Sequence, residues 1–142
     1  MAKRQATATW HGGLKDGKGN IELGSGAFQG EYSFQSRFES GQGTNPEELI
    51  GAAHAGCFSM ALAPGLAEAG YAPQRIETTA EVSIDKVGDG FNITTIGLQT
   101  QGTIADIDEK TFREHAETAK QNCPVSQALA GTEITLKASL QS

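Results

Sequence analysis

Alternation of hydrophobic and polar residues in the first 40 residues predicts short β-strands. Ala6–Trp10 alternates and is followed by a break at glycine, and Gly19–Leu23 repeats the pattern. Aromatic residues are spaced through segment 32–38, which indicates a further extended stretch with Arg37 near its end. The N-terminal part of the chain is therefore predicted to contribute strands to a sheet.

A second alternating region begins at Ile76 and predicts a β-hairpin whose turn is Asp89-Gly90. The alternation changes phase at Thr94-Thr95, which predicts a β-bulge, because one extra residue moves the following side chains to the opposite face. Near the C-terminus, Ile134–Leu140 alternates without interruption and predicts a final strand.

The apolar residues after Asn45 are continuous rather than alternating, and they predict a long helix. Asn45 is a favourable N-cap, Pro46 suits the first helical position, and Glu48 stands three residues after the cap. Residues 49–62 are apolar on nearly every side, and such a helix is normally buried. Pro64-Gly65 is expected to kink or interrupt it. Because one small sheet cannot cover every side, the pattern favours a partner chain.

A second, shorter helix is predicted over Asp108–Gln121 from the spacing of its apolar residues. It should stop by Cys123, because a residue before proline avoids the helical conformation. One more helical turn is predicted over Val125–Ala130. Together these elements predict an α+β fold with antiparallel sheets and a long buried central helix, in a single domain over residues 1–142.

Composition narrows the classes of function. The formal net charge of −6 and the isoelectric point of about 5.0 argue against a nucleic-acid partner, which favours a basic surface. We expect no membrane partner, because we see no apolar run near the roughly 20 residues that span a bilayer. The N-terminus lacks the apolar stretch of a signal peptide, so we expect a cytoplasmic location. There, two cysteines are more often free or redox-active than joined in a permanent disulfide.

Cys57 and Cys123 carry the most informative chemistry. A thiolate that attacks a peroxide becomes a sulfenic acid, and a second thiol can condense with it to a disulfide. Cys57 lies among apolar neighbours, which disfavour the thiolate, and taken alone it is most simply a small core residue. A reactive Cys57 therefore needs a cation, for which arginine is best suited, and a carboxylate to hold that arginine.

Cys123 and His54 each allow more than one role. Cys123 precedes Pro124 and can cap a short helix whose dipole lowers the pKa of a thiol, which suits a resolving cysteine, while a chance core or surface cysteine is equally compatible. His54 shares a helix face with Cys57. It is a candidate base for Cys57, a candidate ligand in a metal site with Cys57 and Cys123, or a hydrogen-bonded core histidine, which is the commonest of the three.

Three segments resemble the family of osmotically inducible protein C (OsmC) and the organic hydroperoxide resistance (Ohr) proteins. They are TNPEELIGAAHAGCFSMAL at 44–62, CPVS at 123–126, and FQSRFE at 34–39, which has the arrangement of the OsmC branch. The similarity extends over essentially the whole chain. It implies an OsmC/Ohr-like intertwined homodimer with two active sites at the interface.

The resemblance also implies a thiol-dependent peroxidase that reduces organic hydroperoxides to alcohols through a cysteine sulfenic acid and an intrachain disulfide. Cys57 falls on the peroxidatic cysteine and Cys123 on the resolving cysteine. Arg37 falls on the arginine that stabilises the thiolate and polarises the peroxide. Glu47 falls on the glutamate that orients Arg37, and Glu48 is its neighbour. No bound cofactor or metal is implied, and the implied reductant is an external dithiol, with lipoylated proteins favoured.

Two alternatives remain open. On a continuous helix, Glu47 and Cys57 would lie about 15 Å apart along the axis. Either the helix begins later than Pro46, or a second copy of the chain supplies part of the site. The rival function is a module that binds a lipid-like ligand in an apolar dimer cleft, with both cysteines incidental.

Overall fold

The computed structural model describes residues 2–141, which form two compact units. The first comprises the described residues up to Leu49, and the second begins at Ile50. The single domain over residues 1–142 stays a prediction.

The first unit contains a three-stranded antiparallel sheet in the order β1-β2-β3. Its strands are β1 (Ala6–His11), β2 (Lys18–Leu23) and β3 (Gln29–Tyr32). Gly19 on the middle strand pairs with Trp10 on one side and Tyr32 on the other. A Cβ atom at Gly19 would lie 2.4 Å from the ring of Tyr32 and 2.7 Å from that of Trp10, so the close approach of the aromatic rings requires glycine.

The segment after β3 is a helix, so the prediction of an extended stretch at 32–38 is wrong. Helix α1 (Phe34–Phe38) begins at a capping box, in which the Ser33 hydroxyl accepts from the Ser36 N–H and the Ser36 hydroxyl accepts from the Ser33 N–H. Phe34 and Phe38 are one helical turn apart, and their ring centroids lie 5.1 Å from each other. The two serine caps and this aromatic pair stabilise a helix that is too short for periodicity to reveal.

Helix α2 (Pro46–Glu68) begins where the sequence predicts. The Asn45 side chain accepts a 2.7 Å hydrogen bond from the Glu48 N–H, which satisfies one free donor of the first turn. The helix runs through Pro64, so of the two predicted effects of Pro64-Gly65 the interruption is wrong, and the kink stays a prediction. The fully buried residues Leu62 and Leu66 lie on either side of Pro64, and their packing holds the helix together across the missing hydrogen bond.

Within one chain, α2 is buried on one side only. Gly51, His54, Phe58, Leu62 and Leu66 are buried, three or four residues apart. An exposed apolar face lies opposite, formed by Ala52, Ala53, Gly56 and Met60. The elements of the second unit therefore cover only one face of the helix, so they do not by themselves give the predicted burial of all its sides.

Of the described residues, one helix is long and apolar enough to cross a membrane by length and composition, namely α2. The expectation that no apolar run approaches that length is therefore wrong. Core helices of soluble proteins pass the same test, so length and composition alone do not place this helix in a bilayer.

The second unit contains a three-stranded sheet in the order β4-β5-β6. Its strands are β4 (Pro73–Val87), β5 (Gly90–Ile104) and β6 (Glu133–Leu140). The predicted hairpin is confirmed, but its turn is Gly88-Asp89 rather than Asp89-Gly90, because Val87 pairs with Gly90 and Gly88 adopts the positive φ of the turn. The predicted bulge is also confirmed, since Ser83 pairs with Thr95 and Ile84 with Ile93, which leaves Thr94 as the extra residue.

Strand β6 pairs with β5 in parallel, so the prediction of purely antiparallel sheets is wrong. Helices α3 (Glu109–Asn122) and α4 (Pro124–Ala128) lie between these two strands in the sequence. A connection of this length returns the chain to the starting end of β5, and such a helical crossover joins parallel strands. Asp108, which was predicted as the first helical residue, is the N-cap of α3, and the helix stops at Cys123 as predicted.

The core of the second unit is formed by α2, β5 and α3. Its fully or nearly fully buried members are Phe58, Leu62, Leu66, Ile96, Leu98, Phe112, Ala116 and Ala119. Burying side chains of this size contributes about 1.5–3 kcal/mol each before the entropic cost of ordering them, which makes this cluster the main source of stability in the unit.

Replacing Gly102 by Ala is expected to destabilise the second unit by about 1–3 kcal/mol. A Cβ atom there would lie 2.8 Å from the ring of Phe112, which is completely buried and has no space to move. Gly131→Ala is the matched control, because a Cβ at Gly131 meets no atom within 4 Å. Urea denaturation should show a lower midpoint for Gly102→Ala only, and equal midpoints would contradict this packing.

Candidate functional site

The two thiols are in contact in the second unit. Cys57 is half-buried in the middle of α2, and Cys123 is completely buried at the junction of α3 and α4. Their sulfur atoms are 2.9 Å apart and share a hydrogen bond. A disulfide bond is about 2.05 Å long, so these are reduced thiols that need only a small movement to bond.

The surroundings of the two sulfurs shift their pKa values in opposite directions. Burial raises the pKa of Cys57, and its hydrogen bond with Cys123 raises the pKa further. Burial also raises the pKa of Cys123, but hydrogen bonds from Cys57, Ser126 and Val125 outweigh it and hold the pKa below its ordinary value. Within the second unit alone, Cys123 is therefore the better placed to ionise.

His54 and Ser126 form a second contact between α2 and α4, beside the thiol pair. His54 Nε2 lies 2.7 Å from the Ser126 hydroxyl, and both residues are buried. Each partner is three residues from a cysteine, so the two contacts link the same faces of the two helices. Burial lowers the pKa of His54, which keeps the imidazole neutral. From the sequence, His54 was considered as a candidate, but Ser126 was assigned no role. The only sequence signal for Ser126 is its place at the end of the CPVS segment at 123–126.

Arg37 and Glu47 meet in the first unit. Arg37 donates two hydrogen bonds to the Glu47 carboxylate, of 3.0 Å from Nε and 2.8 Å from the terminal nitrogen. The Glu47 side chain is only 7% exposed, whereas that of Arg37 is 36% exposed. Glu48 instead accepts a 2.7 Å hydrogen bond from the Thr44 hydroxyl. The adjacent glutamates thus have separate roles, and Glu47 holds the guanidinium group in a bidentate pair.

An apolar cavity of about 270 Å³ adjoins Arg37 in the first unit. Its lining residues are Trp10, Leu14, Tyr32, Ser33, Phe34, Arg37 and Phe38. The Arg37 guanidinium carbon lies 5.2 Å from the centre of the Phe38 ring, within cation–π range. The aromatic residues at 32–38 were noted in the sequence, but no cavity was predicted beside them.

Between residues 2 and 141, no group of three or more His, Cys, Asp or Glu side chains is placed to hold a metal ion. His54, Cys57 and Cys123 therefore do not form a metal site in this structure, although all three lie in the same region.

The chain matches the OsmC-like protein family over residues 39–138. It belongs to the OsmC-like family. Glu47, Cys57 and Cys123 lie inside the matched range, and Arg37 lies two residues before it. The match contains the segments at 44–62 and 123–126, and the family resemblance is thereby confirmed.

Relatives of this OsmC-like chain bear consistent names. Peroxiredoxin OsmC of Escherichia coli (strain K12) is 51% identical over 140 residues, which is 98% of this chain and 97% of that protein. The organic hydroperoxide resistance protein OhrB of Bacillus subtilis (strain 168) is 31% identical over 138 residues, covering 92% and 93% of the two chains. The crystal structure of OhrB superimposes with a TM-score of 0.73 at 27% identity, over 96% of this chain and 98% of that one. The predicted OsmC/Ohr-like α+β fold is thereby confirmed.

Replacing Glu47 by Gln is expected to destabilise the protein by about 1–2 kcal/mol, because a nearly buried charge-assisted pair is lost while Arg37 keeps partial access to water. Glu48→Gln is the matched control. Both residues lie in the first turn of α2, so both changes lose the same interaction with the helix dipole. Urea denaturation should show a larger loss for Glu47→Gln, and equal losses would mean that the pair contributes nothing.

Proposed function

We propose that this chain is a cysteine-based peroxidase that reduces organic hydroperoxides to alcohols. The observation that carries this proposal is the 2.9 Å contact between two free thiols from distant parts of the chain. The names of its relatives, a peroxiredoxin and organic hydroperoxide resistance proteins, support the same reaction class.

The first step is attack by the Cys57 thiolate on the peroxide. Sulfur forms a bond to the distal oxygen, the O–O bond breaks, and the alkoxide leaves as an alcohol after taking a proton from solvent. Cys57 becomes a sulfenic acid. Since burial raises the pKa of Cys57, this step requires a cation close to the sulfur in the assembled protein. Arg37, already oriented by Glu47, is the cation we assign to it.

The second step joins the two cysteines. The Cys123 thiolate attacks the Cys57 sulfur, an S–S bond forms, and the S–O bond breaks to release hydroxide, which becomes water. An external dithiol then reduces the disulfide by thiol–disulfide exchange and returns both thiols. No bound cofactor or metal takes part, and a lipoyl-type dithiol in the cytoplasm is the reductant we propose.

A second copy of the chain completes the site in this proposal. Helix α2 begins at Pro46, so the alternative of a later helix start is wrong. The exposed apolar face of α2, which includes Met60 at 77% exposure, is a surface that a second copy would cover. We therefore infer a homodimer in which the Arg37–Glu47 pair of one copy joins the thiols of the other.

The rival function is binding of an apolar ligand without turnover. The aromatic cavity beside Arg37 is the observation that favours it, because 270 Å³ is close to the size of a small ligand pocket. In the peroxidase proposal the same apolar surroundings favour alkyl or aryl hydroperoxides over hydrogen peroxide.

The deciding experiment titrates the free thiols of the reduced protein before and after one equivalent of cumene hydroperoxide. We expect loss of both thiols, with a Cys57–Cys123 disulfide in the peptide map that a dithiol reverses. If both thiols stay free after prolonged exposure, the peroxidase proposal is wrong and ligand binding becomes the leading function.

Replacing each cysteine by serine should separate the two steps. Cys57→Ser is expected to abolish peroxide consumption, because the attacking sulfur is gone. Cys123→Ser should consume one equivalent of peroxide and then stall with a dithiol reductant, because the disulfide cannot form. Peroxide consumption followed over many turnovers measures both effects. Normal turnover by Cys123→Ser would exclude a resolving role for Cys123.

Removing the guanidinium group should shift the pH dependence of peroxide attack. In Arg37→Met the pKa of Cys57 is expected to rise, because the thiolate loses its cation, so the thiolate fraction at a given pH falls and the rate profile of the first step moves to higher pH. Arg37→Lys keeps the positive charge without the bidentate geometry, so it should shift the pH–rate profile less than Arg37→Met does. Single-turnover rates across a pH series measure the shift, and identical profiles for all three proteins would remove Arg37 from this role.

A further inference from the structure

The contact between His54 and Ser126 has no role in the reaction described so far, although both side chains are buried beside the thiols. Ser126 follows Cys123 by three residues on α4, and His54 precedes Cys57 by three residues on α2. The 2.7 Å contact between them and the 2.9 Å contact between the sulfurs therefore bridge the same two helices side by side.

The unpaired ring nitrogen of His54 indicates which partner donates. Among the described residues, none offers a hydrogen bond to His54 Nδ1, which is buried. A buried N–H without a partner costs more than a buried lone pair without one, so the proton belongs on Nε2. Nε2–H then donates to the Ser126 oxygen. A hydroxyl has only one proton, and that of Ser126 is left free to point elsewhere.

Cys123 is the N-cap of α4 and Ser126 is the third residue after it, so their side chains lie one helical turn apart, and we assign the free proton of Ser126 to the Cys123 sulfur. The hydroxyl and the N–H of Ser126 both lower the pKa of Cys123. The Cys57 thiol contributes in the same direction, but only while it is reduced. Once Cys57 has become a sulfenic acid, the contribution of its thiol is lost, and the groups of α4 remain. This is the stage at which Cys123 must attack.

We propose that His54 is a positioning residue that acts through Ser126 to present Cys123 to the oxidised Cys57. His54 donates to the Ser126 oxygen and thereby directs the Ser126 hydroxyl toward the Cys123 sulfur. The inference rests on the proposed function, because the step it serves is formation of the disulfide. In that step the Cys123 sulfur is oxidised and the Cys57 sulfur is reduced as hydroxide leaves.

Loss of the hydrogen bond from Ser126 changes the rate of disulfide formation in two opposite ways. Loss of one hydrogen bond to a charged sulfur lowers the thiolate fraction about tenfold, at a pH where Cys123 is mostly protonated. A more basic thiolate is also a better nucleophile, which recovers about threefold of that loss. The net expectation is that disulfide formation slows about three- to fourfold, while the thiolate fraction falls about tenfold.

The kinetic test follows the Cys57 sulfenic acid after one equivalent of cumene hydroperoxide, with dimedone trapping and mass spectrometry. Ser126→Ala and His54→Leu should each prolong its lifetime about three- to fourfold, and the double variant should prolong it no further, because both act through one contact. His54→Gln keeps an N–H donor and should remain close to the unmodified protein. Ser59→Ala is the matched control. It also removes a hydrogen-bonded hydroxyl, but that hydroxyl is on α2 and donates to Thr78.

A second measurement is independent of peroxide chemistry. In a Cys57→Ser background, the ultraviolet absorbance of the thiolate reports the ionised fraction of Cys123. We expect Ser126→Ala and His54→Leu to lower that fraction about tenfold, and Ser59→Ala to leave it unchanged. An unchanged fraction in both variants, or sulfenic acid lifetimes equal to that of the unmodified protein, would overturn the role of His54. Absence of both a trapped sulfenic acid and a Cys57–Cys123 disulfide in the unmodified protein would instead overturn the proposed function.

Discussion

Burial of one face of α2 is the constraint on which the second unit depends. His54, Phe58, Leu62 and Leu66 recur every fourth residue along the helix and are almost completely buried. This row of side chains sets the rotation of α2 about its own axis, because turning the helix would expose large apolar groups. The same rotation directs Cys57 toward α4 and leaves Met60 facing solvent. Burial of this one row of side chains therefore both positions the Cys57 thiol and leaves the opposite apolar face of α2 exposed.

The charges of the candidate site follow from how much water each group retains. Glu47 is nearly buried, and its carboxylate is acceptable there because Arg37 meets it with two hydrogen bonds. Cys123 is buried as well, and hydrogen bonds compensate for the lost solvation. In the second unit alone, Cys57 is half-buried, and its burial and its hydrogen bond with Cys123 outweigh a hydrogen bond from the Val125 backbone, so its pKa rises. That difference between the two thiols is why the proposed reaction needs a cation for the first step and only local hydrogen bonds for the second.

The sequence predicted well those elements that local signals specify. The N-cap at Asn45, the stop at Cys123 and the bulge at Thr94 each depend on a few adjacent residues, and all three are present. Helix α1 was missed because five residues are too few for a period, and its stability comes from two serine caps and one aromatic pair. Pro64 was expected to kink or interrupt α2, but the helix continues through it, because neighbouring buried leucines outweigh its local preference. The parallel direction of β6 depends on the path of the α3–α4 connection, which no strand pattern encodes.

By itself, the sequence determined the identity of most helices and strands, the family, and the four residues that the resemblance assigns to catalysis. Only the tertiary structure decided that Cys57 and Cys123, 66 residues apart, lie 2.9 Å from each other, and that His54 contacts Ser126 across 72 residues. It also decided the bidentate geometry of the Arg37–Glu47 pair, while Glu48 accepts from Thr44 instead. The physical reason is range: propensity, capping and turn formation depend on residues a few positions apart, whereas contacts across the chain depend on how the whole core packs.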